Sequence, residues 1–223
     1  MNRSLFAVAA SLLMASPGAH AQMPGVPTLQ NAWANRGLAA GLNAGTGGSS
    51  QVIAAVASWA PQNGRFEISG GAGFHDRDDG GSGGAYGLRG AFPIYSFARG
   101  SLGIAGFLGI GGAWLPDAET LTHRGGTMTQ VPVGVGVGYR RAFRFVHGVS
   151  VYTTPFYSYN RLTVGDSTDT ENLFRVAFGL DVGITRNIGV TAGVEFGGSS
   201  DESEPGPTGS VFGIGASYAF RRR

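Results

Sequence analysis

The sequence predicts an all-β fold, a closed antiparallel up-and-down transmembrane β-barrel of ten strands, and three observations predict it. Hydrophobic residues alternate with small or polar ones at a period of two over most of the chain beyond residue 37. Bulky apolar side chains occupy one face of that alternation, and glycine, serine and charges occupy the other. A water-soluble sandwich would not use so small and polar a set as its core, whereas a barrel in lipid turns the bulky face outward. Finally, beyond the N-terminus no apolar run approaches the roughly 20 residues of a membrane helix, so only a closed barrel could cross a bilayer.

Composition supports one folded domain. The chain has 223 residues, 40 of them glycine, with 42% hydrophobic and 13% charged residues. That hydrophobic fraction and a formal net charge of only +2 exclude a disordered polymer. Every basic residue is arginine, and the absence of cysteine excludes a disulfide frame, a thiolate metal site and a cysteine nucleophile. The pI near 9.2 overstates basic character at this net charge, so a nucleic-acid partner is not indicated.

The N-terminus has the layout of an export signal. Asn2-Arg3 form a short basic region, an apolar run follows from Leu5 to Met14, and Ala19-His20-Ala21 is an A-x-A cleavage site. The expected organisation is a cleaved signal peptide at 1–21, an N-terminal periplasmic segment at 22–36, the barrel at 37–220 and a basic tail at 221–223. No cysteine follows the cut to carry a lipid anchor.

Strands are expected at 37–46, 51–59, 65–75, 84–93, 102–114, 128–140, 149–162, 172–184, 188–196 and 210–220. Most match the 9–11 residues, roughly, of a tilted transmembrane strand. The clearest is Gln130 to Arg140, with Val131, Val133, Val135, Val137 and Tyr139 on one face and Pro132, Gly134, Gly136 and Gly138 on the other. Two strands do not declare a face. Segment 51–59 has small apolar residues on both sides, and 149–162 carries Pro155 and aromatics on both sides; if these are loops or plug, eight strands remain.

Connections and charge give the barrel a direction. With both termini in the periplasm, short inner turns fall at 60–64, 94–101, 142–148 and 185–187, and longer outer loops at 76–83, 115–127, 163–171 and 197–209. The outer loops hold most of the acidic residues, while arginines such as Arg36, Arg65, Arg141 and Arg186 gather at the inner end. Outward aromatics form two girdles, Phe74, Trp114, Phe174, Phe196 and Phe212 above, and Phe66, Phe92, Tyr139, Tyr218 and Phe220 below.

The last strand, Phe212-Gly213-Ile214-Gly215-Ala216-Ser217-Tyr218-Ala219-Phe220, together with this architecture, resembles the small bacterial outer-membrane β-barrel family that includes OmpA-like and OmpX-like barrels. The resemblance implies location in a bacterial outer membrane, contact with its lipid and lipopolysaccharide, and delivery by the barrel-assembly machinery. Phe212, Ile214, Tyr218 and Phe220 are then the assembly signal. Family members usually end on the aromatic residue, whereas Arg221-Arg222-Arg223 follow here.

Candidate site residues are the few charges facing the lumen: Glu67, Arg89, Arg140, Arg175, Asp181 and Glu195. The hairpin centred on Arg186-Asn187 brings Arg175 and Glu195 to similar heights on neighbouring strands, where they can pair, and Glu67 and Arg89 have the same opportunity. Such charges either rigidify a filled interior or select ions in a narrow pore. The Gly-rich wall fits both, since it either leaves a channel or makes room for arginines. His75-Asp76-Arg77-Asp78-Asp79 raises a hydrolytic site at the mouth as a lesser alternative, because acid/base catalysis needs a His beside a carboxylate. The acidic loops 76–83 and 199–204 could reach an extracellular ligand or a divalent cation but lack the spacing of a known calcium loop. Gly106-Phe107-Leu108-Gly109-Ile110-Gly111 lies in a strand and is no nucleotide loop. No cofactor, metal or catalytic residue is assigned. The expected role is a structural or surface-interaction barrel, with a narrow porin as the alternative.

Overall fold

The computed structural model describes residues 23–47, 50–77, 81–115, 125–143, 145–197 and 209–220. The expected signal peptide, Asp78 and Asp79, the acidic loop at 199–204 and the basic tail lie outside these residues. Ten strands close into one antiparallel barrel, each paired with its sequence neighbours and β1 with β10. They are β1 (Gly37–Gly47), β2 (Ser50–Ala60), β3 (Glu67–Arg77), β4 (Gly81–Phe97), β5 (Leu102–Leu115), β6 (Gly126–Arg141), β7 (Gly148–Val164), β8 (Ser167–Gly183), β9 (Ile188–Gly197) and β10 (Val211–Phe220). The alternative of eight strands is excluded, because β2 and β7 are full members of the sheet.

Leu38 pairs with Phe220, so one end of the barrel carries the start of β1 and the finish of β10. We call it the terminal end and the other the far end. Connections at 61–66, 98–101, 142–147 and 184–187 lie at the terminal end. Two far-end connections differ from expectation, and at the one placed at 76–83 strands β3 and β4 stay paired to Arg77↔Gly81. The outer loop placed at 163–171 is a hairpin extension, in which β7 and β8 stay paired up to Val164↔Ser167 around a turn at 165–166. Thr163 Oγ1 lies 3.3 Å from Thr168 Oγ1 across it, and cross-strand threonine pairs of this kind support a ladder.

The faces sort by period two. Ile53, Leu42, Leu88, Ile110, Val133, Phe178 and Ile214 point outward and are exposed. In water so large an apolar surface would be untenable, while lipid contact removes the cost. Both expected girdles are present on this outer face. Tyr86 packs on Trp114 at 4.9 Å between ring centroids, and Tyr218 on Phe220 at 5.0 Å. Rings at strand ends suit the boundary between hydrocarbon and headgroups.

Candidate functional site: a lumen occupied by the N-terminal segment

Inside the barrel the structure departs from the sequence reading. The segment at 22–36, expected as a periplasmic leader, lies within the lumen over its described residues, 23–36. It runs the length of the barrel from the far end to the terminal end. Met23, Thr28, Leu29 and Ala32 are 0%, 1%, 4% and 1% exposed. An extended chain covers about 3.3 Å per residue, so the stretch from Gly25 to Asn35 can span the roughly 30 Å of a bilayer core.

Local chemistry explains its course. Pro24 and Gly25 occupy the central positions of a turn closed by the Val26 N–H on the Met23 carbonyl at 3.2 Å, with Gly25 at φ +81°. Proline then glycine is the pairing a type II turn demands. From Pro27 to Arg36 the strap has neither helix nor strand. At Gly37, φ +88° lets the chain reverse from the lumen into β1.

A strap outside any sheet needs partners for its backbone groups, and the lumen charges provide them. Glu195 Oε2 accepts the Thr28 N–H at 2.6 Å, and Glu67 Oε2 accepts the Asn35 N–H at 2.7 Å. The Arg89 guanidinium donates to the Leu29 carbonyl at 2.7 Å. Thr154 Oγ1 takes the Gln30 N–H at 3.2 Å. Asn31 Nδ2 donates to Asp181 Oδ2 at 2.7 Å, while Thr191 and Tyr152 hydroxyls donate to Asp181 Oδ1 at 2.7 and 3.1 Å.

The six candidates thus fall into place as follows. Arg175 and Glu195 form the expected pair, Nε to Oε1 at 2.5 Å, with both side chains buried. Their register is diagonal, Arg175 opposite Gly197 and Glu195 opposite Ala177. Arg175 also donates to the carbonyls of Gly197 and Gly209, tying β8 to the chain on either side of the β9–β10 connection. Glu67 and Arg89 sit on adjacent strands, again diagonally, and each grips the strap. Asp181 anchors it lower down. Arg140 stands apart at the terminal end, where Nε donates to the Gly100 carbonyl at 2.9 Å and the guanidinium lies 4.4 Å from the Trp33 ring centroid.

The Gly-rich wall makes room for the strap. A methyl carbon at Gly193 would come within 2.5 Å of Leu29 Cδ2, and one at Gly213 within 2.5 Å of Pro27 Cδ. Added carbons at Gly45 and Gly136 would run into the carbonyls of Gly25 and Gln30. Inward aromatics fill the remainder. Phe107, Tyr152 and Phe156 pack with Leu29, Ala91 and Ala177 in a buried cluster.

Sequence reasoning missed the strap and the inward Phe107, and it left the face of the strand that carries Tyr152 and Phe156 open. One signal is present: Met23, Val26, Leu29 and Ala32 recur at every third position, a period that belongs to neither helix nor strand. Three residues per turn is the repeat of an extended polyproline-type chain.

The far-end motif is also rearranged. His75 and Asp76 lie in β3 rather than in a solvated loop. Successive strand residues face opposite ways, so His75 is buried toward the lumen while Asp76 is exposed and accepts the Ser82 hydroxyl at 2.8 Å. Among the described residues, no group of three or more His, Asp or Glu could hold a metal.

A closed barrel with an apolar outer face and aromatic girdles is the form in which polypeptide strands cross a bacterial outer membrane. The chain is an outer-membrane β-barrel. No protein-family model matches the chain, and no curated protein matches it either. Solved structures similar to it include a loop-deletion mutant of OmpT, an outer membrane protein of Vibrio cholerae, at 16% identity and a TM-score of 0.36. That likeness covers 77% of this chain and 54% of OmpT, so the match spans about half of that protein. Neisserial surface protein A is similar at 14% identity, over 82% of this chain and 94% of its own, with a TM-score of 0.37. The β domain of the Bordetella autotransporter BrkA is similar at 12% identity, over 82% of this chain and 99% of its own, with a TM-score of 0.44. These likenesses carry nothing about activity.

Proposed function

We propose that this outer-membrane barrel is a structural or surface-interaction protein with a closed lumen, rather than an open pore. The observation that carries the reading is the strap: residues 23–36 fill the lumen, and four of its charged groups, Glu67, Arg89, Asp181 and Glu195, bond to it. In this reading a signal peptide is removed before Gln22 and the terminal end faces the periplasm. The far end, with Asp166, Asp169 and Glu171 on the β7–β8 extension, meets lipopolysaccharide or an extracellular ligand. Kinship with OmpA-like and OmpX-like barrels belongs to the same proposal, supported by the outward row Phe212, Ile214, Tyr218 and Phe220, which the barrel-assembly machinery would read.

A hydrolase is not part of this reading, because β3 sends His75 and Asp76 to opposite faces. The test is conductance of the mature full-length protein in planar bilayers. The expected trace has no discrete steps. Reproducible single-channel steps from the intact protein would favour a narrow porin and overturn the closed-lumen reading.

A further inference from the structure

We propose that the lumen is a binding site for extended polypeptide, in which residues 23–36 are a replaceable occupant and from which a peptide supplied in trans can take their place. The inference rests on the closed-lumen reading and goes beyond it, since a plug could equally be an irreplaceable part of the core.

What separates the two is what the wall recognises. Glu195, Glu67, Arg89 and Thr154 all address backbone groups, namely the N–H of Thr28, Asn35 and Gln30 and the carbonyl of Leu29. Asp181, with Ser150 beside it, reads a strap side chain by polar contact, that of Asn31. Gly45 and Gly136 are close beneath strap carbonyls, so the wall is shaped to a main chain. A site built this way binds by conformation first, as peptide grooves do when main-chain bonds give affinity and pockets for side chains give specificity. Leu29 enters an apolar pocket among Phe107, Tyr152 and Phe156, and Met23 and Val26 pack with Val52 and Val56 nearer the far end. The ligand class is therefore an extended segment with aliphatic anchors at every third position, where Met23, Val26 and Leu29 sit in the strap.

The strap is joined to the barrel only through Arg36 and Gly37, and Arg36 is exposed. A site-specific protease sequence inserted between them lets the full chain assemble before the strap is severed. A fluorescent peptide with the sequence of residues 23–36 is then offered to the severed and the uncut barrel. Saturable uptake is expected by the severed barrel, and none by the uncut one. A peptide with ester oxygens in place of the Thr28 and Asn35 amide N–H groups should bind about tenfold more weakly or worse, since both hydrogen bonds are to carboxylates. An Asn31→Ala peptide should lose less.

Absence of saturable uptake by a severed barrel that keeps its folded gel mobility overturns the proposal, as does equal binding of the ester and amide peptides. If severing unfolds the barrel, the uncut chain with Thr28→Pro and Asn35→Pro decides, because both donors go while the strap stays tethered. It should take up the peptide where the parent does not, and failure to do so overturns the proposal. A conducting intact protein would defeat the closed-lumen reading instead, so the two failures are distinguishable.

Discussion

An Arg175→Met variant is expected to lose about 3–5 kcal/mol of barrel stability, because breaking a buried ion pair from one side leaves the other charge without compensation. Glu195 is 1% exposed, and its other oxygen is already engaged by the Thr28 N–H. The arginine also holds two carbonyls, at Gly197 and Gly209, which lose their donor together with the pair. The check is the temperature at which the folded band of the heat-dependent gel shift disappears. Arg175→Met together with Glu195→Leu should recover part of the loss, since replacing a whole buried pair by apolar groups is often close to neutral. It should not recover all of it, because Thr28 would still lack its acceptor. A single variant as stable as the parent would show that the pair contributes nothing.

The second large effect lies on the opposite face. Leu42 is at the middle of β1, points outward and is 63% exposed, opposite Ala216 and Ala55. Arginine there should cost about 2–4 kcal/mol, the penalty for a basic group near the bilayer midplane. Thr46 points the same way near the far end of the same strand, where the penalty falls to about 0–1 kcal/mol. Reversible denaturant unfolding in lipid vesicles measures both. Equal costs for Leu42→Arg and Thr46→Arg would contradict a depth-dependent lipid contact at β1.

Strands such as β6, β8, β9 and β10 were legible in the sequence because their two faces differ sharply in size, and lipid outside with a crowded lumen inside enforces that difference. The Arg175–Glu195 pair was legible because two inward charges on a short hairpin have few other places to go. β2 and β7 were ambiguous for a reason the strap supplies. Val52 and Val56 turn inward because they pack with Met23 and Val26, and Tyr152 and Phe156 because they pack with Leu29. Their inward apolar residues spoil the alternation wherever the strap presents an apolar side chain.

The glycine wall carried the same hidden information. Gly45, Gly136, Gly193 and Gly213 read equally well as an open channel or as room for arginine side chains. What they accommodate is a second stretch of main chain, which only the folded register reveals. His75 was misplaced because Asp-Arg-Asp-Asp after it suggests a solvated tip, whereas pairing of β3 with β4 continues to Arg77↔Gly81.

Residues 23–36 occupy the lumen from end to end, and one cross-link tests this directly. A β-carbon on Gly25 would stand 3.7 Å from the β-carbon of Val52, inside the range of about 3.5–4.5 Å that a disulfide bridges. The chain has no cysteine to compete. The positive φ at residue 25 costs a cysteine about 1–2 kcal/mol, which does not prevent oxidation of two adjacent thiols. In the assembled Gly25→Cys/Val52→Cys protein, mass spectrometry should find the pair oxidised to a single intramolecular disulfide. Two free thiols that both react with a water-soluble maleimide would place the segment outside the barrel and contradict the account.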